Sequence, residues 1–113
     1  MSAPKTGTNA PKPSTRPRTV RIIGKTFDID WPDEIEDEGE KLNGFSDPDA
    51  QKISVVGTLP LNTQQDRLLH EIMHCVEASF DLDLEDTVIE RLATGLLAVL
   101  KDNPAFIAYL RRK

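Results

Sequence analysis

One cysteine, one tryptophan, one tyrosine and two histidines are all that these 113 residues hold of several side chains that often carry chemistry. A lone Cys75 excludes an internal disulfide and fits a reducing compartment. No apolar run approaches the ~20 residues of a membrane-spanning helix, and the N-terminus lacks the apolar centre of a signal peptide. A soluble, cytoplasmic protein with no membrane partner is therefore expected. Acidic residues outnumber basic ones, 19 to 14, for a net charge of −5. With no helix-turn-helix and no basic reading helix, nucleic acid is not an expected partner, and only a basic tail offers contact to it. A calcium loop is excluded too, because the acids lack the alternating pattern with a central glycine and a final glutamate.

The first eighteen residues contain four prolines, four Lys or Arg and no acid. Such a segment buries too little apolar surface to offset its ordering entropy, so residues 1–18 read as a disordered basic tail and 19–113 as one domain. Asp33, Glu34, Glu36, Asp37, Glu38 and Glu40 form an acidic run that reads as a solvated loop.

Both histidines fall in His70-Glu71-Ile72-Met73-His74, an HExxH string. On a helix, positions four apart share a face, so two imidazoles can grip one cation while Glu71 projects beside it as a proton acceptor. The context supplies the helix. Leu69, Ile72, Met73, Val76 and Phe80 recur at helical spacing, and Thr63 with Asp66 reads as a capping box. The pattern points to a zinc hydrolase.

Catalytic zinc uses three protein ligands and leaves a fourth position for water. No third histidine exists, and Cys75 points about 100° from His74 on a helix, so the third ligand is expected to be a carboxylate. Glu77 is poorly placed on the same helix. Asp81, Asp83, Glu85 and Asp86 lie where acids ordinarily cap a helix or meet its dipole. Glu90 borders the apolar stripe of Val88, Ile89, Leu92, Leu96, Val99 and Leu100, whereas Glu85 points nearer its centre, so periodicity alone does not choose between them.

The string Leu69-His70-Glu71-Ile72-Met73-His74, followed after a turn by Glu90-Arg91-Leu92-Ala93, resembles the HExxH plus ExxA arrangement of gluzincin-type metallopeptidases. In size and layout the chain is similar to small zincin-like proteins encoded by bacteriophages, and distantly to ImmA/IrrE-type peptidases. The separation from His74 to Glu90 is short for that pattern, and Thr94-Gly95-Leu96 stands where ImmA/IrrE-type proteins carry Asn-x-Phe-Ala. The resemblance covers roughly residues 52–104. It implies one Zn2+ held by His70, His74 and Glu90, with Glu71 as general base, acting on a peptide or protein substrate in the cytoplasm, the host's if phage-encoded. In such a peptidase Glu71 takes a proton from a metal-activated water as that water attacks the amide carbonyl. Arg67 and Arg91 are candidate oxyanion stabilisers. The alternative is a non-catalytic, zinc-stabilised interaction or assembly protein. Oligomeric state is not legible.

Residues 19–23 and 26–30 are rich in Val, Ile, Thr and Phe and flank Gly24-Lys25, a pair suited to a hairpin turn. Residues 39–50 read as a flexible loop and 52–57 as a strand just before the motif helix, whose free edge would orient a substrate. A second helix is expected from about residues 83–85 to Lys101, ended by Asn103-Pro104, then a short helix over 104–110. The expected architecture is α+β: a small antiparallel sheet of about three strands packed on two main helices, plus a short C-terminal helix.

Overall fold

The computed structural model describes residues 15–113. The fold is α+β, with six strands and three helices among these residues. In chain order these are β1 (Thr19–Ile22), β2 (Lys25–Asp30), β3 (Ile35–Asp37), β4 (Glu40–Leu42), β5 (Gly44–Asp47), β6 (Lys52–Val55), α1 (Leu61–Phe80), α2 (Asp86–Asp102) and α3 (Pro104–Leu110). Four strands form one sheet in the order β1-β2-β6-β5, and β3 and β4 form a separate hairpin.

The sheet is mixed rather than wholly antiparallel. β1 pairs antiparallel with β2, and β5 with β6, but β2 and β6 run parallel, Ile29 opposite Ile53. The long excursion through β3, β4 and β5 allows this, since parallel neighbours need a crossover. β6 therefore lies inside the sheet, hydrogen-bonded on both sides, and the free edge near the motif helix belongs to β5.

Two hairpins share one turn chemistry. Ile22 pairs with Lys25 across Ile23-Gly24, and Asp37 pairs with Glu40 across Glu38-Gly39. All four turn residues have positive φ, between 48° and 81°. That is the signature of a type I′ turn, whose twist matches the flanking strands. The first turn is therefore Ile23-Gly24, one residue earlier than the Gly24-Lys25 expectation. The acidic run is exposed as expected, but it is folded into this second hairpin.

One sheet face carries Ile22, Phe27, Ile29, Ile53 and Val55, which pack on Cys75 with Leu68, Ile72 and Val76 of α1. Alternation along β2 and β6 and the 3.6-residue repeat along α1 present these side chains to one another. α2 then packs on another face of α1, burying Ile89 and Ala93. Thr94 Oγ1 donates to Asp66 Oδ1 at 2.8 Å and Lys101 Nζ to Gln65 Oε1 at 2.5 Å. Asp66 thus serves the helix pair, not a capping box. α1 begins at Leu61 after Pro60, without a side-chain cap.

The folded body also starts before residue 19. Arg16 stacks on Trp31, its carbon 5.2 Å from the ring centroid, and donates to Gly57 O at 2.9 Å. Trp31 Nε1 in turn donates to Pro17 O at 3.0 Å. The expectation for the tail otherwise falls on residues 1–14, outside the described residues. No helix among the described residues is long and apolar enough to cross a membrane.

Candidate metal centre

His70 and His74 lie on the face of α1 turned toward the start of α2, one turn apart. Their Nε2 atoms stand 3.0 Å apart. Asp86, the first residue of α2, brings its Oδ1 to 2.9 Å from His74 Nε2 and 3.4 Å from His70 Nε2. His70 is buried, His74 half-buried, and the Asp86 side chain 71% exposed.

Asp86, not Glu90, completes this group. His70, His74 and Asp86 are the one set of three potential ligand residues that converges within 4.8 Å among the described residues. Glu90 is exposed, one turn and about 6 Å further along α2. The cause is the linker. Residues 81–85 run back along α1, with Leu82 N donating to Glu77 O and Leu84 N to the Glu77 carboxylate. Asp81 and Asp83 turn the chain with φ of 54° and 53°. The linker has therefore already returned nearly to the level of His74 when the helix begins. Glu85 precedes the helix as its N-cap residue and stays exposed outside the group.

The arrangement of donor atoms suits a cation. His74 Nδ1 lies 3.3 Å from Glu77 Oε1, and Nε2 faces the Asp86 carboxylate. A carboxylate only accepts hydrogen bonds, and a neutral imidazole has a single N–H to donate. With Nδ1 donating to Glu77, the Nε2 lone pair faces the Asp86 carboxylate and His70 Nε2. A divalent ion would accept all three donor atoms at once, and a carboxylate on the distal ring nitrogen is the usual support of a metal-binding histidine. The spacings of 2.9, 3.0 and 3.4 Å suit the set as well. Tetrahedral ligands about 2.0–2.1 Å from a zinc stand roughly 3.3 Å apart.

Glu71, about 100° round the helix from His70, turns toward Gly44 of β5 and lines the same cleft. Its carboxylate is buried, with Oε2 at 3.7 Å from Arg67 Nη1. Burying a carboxylate costs several kcal/mol unless a partner offsets it, and Arg67 is that partner. Gly44 of β5 lies directly over the pair. A Cβ there would stand 2.6 Å from Arg67 Cγ and Cδ and 2.9 Å from Glu71 Oε2. Cys75 is fully buried beneath the site and is no ligand. Burial foremost, and then the Glu71 charge, raise its thiol pKa to about 11, against a hydrogen bond from Ser46 that lowers it.

Together these groups line an open cleft of about 460 Å³, walled by α1 on one side and by Gly44, Phe45, Ser46 and Pro48 on the other. Asp86 closes one end and Arg67 is part of the wall. Arg91 stays exposed on α2 and takes no part. Glu71, His70 and His74 share the cleft as the motif predicts. Asp86, Gly44 and the edge of β5 were hidden from sequence reading. No family model, curated protein or solved structure matches this chain.

Proposed function

We propose that the protein is a zinc-dependent metallopeptidase in which His70, His74 and Asp86 hold the ion and Glu71 is the general base. Two imidazoles and one carboxylate are a donor set suited to Zn2+. The observation that carries the reading is a buried carboxylate, Glu71, beside three converging ligand atoms in a cleft open to solvent. Three ligands alone would hold the ion, so metal binding by itself does not call for that extra acid.

A bound zinc ion would lower the pKa of water and polarise a carbonyl oxygen. The chain's own residues supply the rest. Glu71 receives the proton of the attacking water and delivers it to the departing amine, as a positioned carboxylate does in general acid–base catalysis. Arg67 balances the buried charge of Glu71. Glu77 holds the His74 ring in the orientation that frees Nε2. β5 is the last strand of its sheet on the cleft side, so an extended peptide can add to it through main-chain hydrogen bonds. Phe45, 45% exposed on that strand, offers an apolar contact to such a peptide.

Elemental analysis of the purified protein tests the ligand set, with one equivalent of zinc expected. His70→Ala, His74→Ala and Asp86→Ala should each lose the metal, while Glu90→Ala retains it. Glu71→Gln should keep the ion yet cut hydrolysis of a mixed peptide library by at least ~100-fold, the usual scale for losing a general base. Zinc retained by wild type with no turnover on any peptide would leave the second reading, an ion that staples α2 to α1. That reading draws on Asp86 coming from a different helix than the two histidines.

A further inference from the structure

The apolar stripe of α2 is wider than the part that α1 covers. Ile89 and Ala93 are buried against α1. Along the rest of the stripe Val88, Leu92, Leu96 and Val99 are 40–50% exposed, and α3 buries no residue at all, leaving its Phe106 and Leu110 open too. A specific stable interface covers ~800 Å² per partner, and the half-exposed apolar side chains of these two helices can supply a large share of it. A large group of exposed apolar side chains on neighbouring helices marks an interaction surface more often than a free one.

Gly95 adds an independent observation. It sits mid-helix, where glycine is among the worst helix formers. By about 100° per residue it falls at the border of the exposed stripe, with Val88 and Val99 some ~20–40° to one side and Arg91 and Asp102 some ~20–40° to the other. Nothing lies within 4 Å of where its Cβ would be, and its φ is not positive. The chain's own packing gives no reason for a glycine. A second helix approaching closely at that point would.

Charge selects the occupant. Arg91 and Asp102 lie on the same edge of the stripe, eleven residues apart and about 20° from alignment, on opposite sides of Gly95. Neither is part of an ion pair among the described residues. In an antiparallel pairing of this face with itself, Arg91 of one copy comes alongside Asp102 of the other, twice by symmetry. Residues 1–14 make a poor cover, since they contain no Val, Leu, Ile, Phe, Tyr or Trp.

We propose that the outer face of α2 and α3 is a homodimer interface, two copies packing their α2 helices antiparallel with closest approach at Gly95. This is independent of the metal reading, because the face lies away from the cleft.

Sedimentation equilibrium of the full chain at micromolar concentrations tests it, with a mass twice 12.6 kDa expected. Gly95→Leu, which favours the helix itself, should yield a folded monomer by circular dichroism and sedimentation. Arg91→Asp and Asp102→Arg should each weaken association about tenfold, and the double variant should recover most of it, as expected of a direct charge pair. A wild type that stays at 12.6 kDa up to ~100 μM, a Kd range in which dimers of ~5 kcal/mol would show, overturns the proposal and leaves the face to another protein. So does a dimer indifferent to both Gly95→Leu and the charge exchange, which must pair elsewhere.

Discussion

His74 has a different task for each ring nitrogen: Nδ1 meets Glu77 and Nε2 meets His70 and Asp86. Glu71, on the neighbouring face, depends in the same way on Arg67 and on the absence of a side chain at Gly44. Gly44→Ala should push the Arg67 stem off Glu71 and cost about 1–3 kcal/mol, as overpacking usually does. Thermal melting would register the loss, and zinc content should be unchanged because neither histidine moves. At this scale the motif was readable because a helix fixes the relation of residues 70, 71 and 74 from spacing alone. Asp86 was not readable as a candidate ligand. Its position depends on how far the 81–85 linker runs back along α1, and that is set by left-handed turns at Asp81 and Asp83, which no periodicity reports. An acid in the first turn of a helix also has an ordinary explanation in the dipole.

The elements divide by what makes them. α1, α2 and α3 were legible because each carries an apolar stripe at helical spacing, and because Asn103-Pro104 separates the last two. β1, β2 and β6 were legible for their β-branched residues. β5 was not, since Gly44-Phe45-Ser46-Asp47 holds one large apolar side chain and that one faces outward. Its contribution to the sheet is main-chain pairing at an edge, which leaves little mark on composition. The β3–β4 hairpin is hidden for the same reason, being mostly acidic. Its turn and that of β1–β2 both place a residue with a side chain in the left-handed region. Ile23 is the worse suited of the two, β-branched and exposed, with φ of 48°. Ile23→Asn would create the Asn-Gly pair that type I′ turns prefer. A gain of about 1 kcal/mol is expected, the lower end of what left-handed strain costs, readable as a raised midpoint in urea.

The whole molecule is three layers deep, with α1 in contact with both the sheet and α2. The sheet and α1 share the apolar core, whereas α2 is held by Ile89, Ala93 and a few polar contacts. A metal ligated by His70, His74 and Asp86 would join α2 to α1, the middle layer, across this weaker seam. Removing it with a chelator should therefore lower the melting temperature markedly, by ~3–4 kcal/mol of linkage if zinc is present at 100 to 1,000 times its Kd. Asp86→Ala should melt at the same temperature with and without chelator. A wild type whose melting ignores chelation would count against any such staple. The expected layer of helices on a sheet was legible, but its stacking order was not, because sequence does not say whether the apolar stripe of α2 meets the sheet or α1.

Asp86 belongs to a layer that the sheet does not hold. An ion bound at this site need not wait for the protein to unfold before it escapes. It needs only the first turns of α2 to lift, taking one of three ligands with them, while the histidines stay fixed over the core. Exchange with free metal would then be governed by the breathing of a single helix, and anything that clamps that helix from outside would slow it.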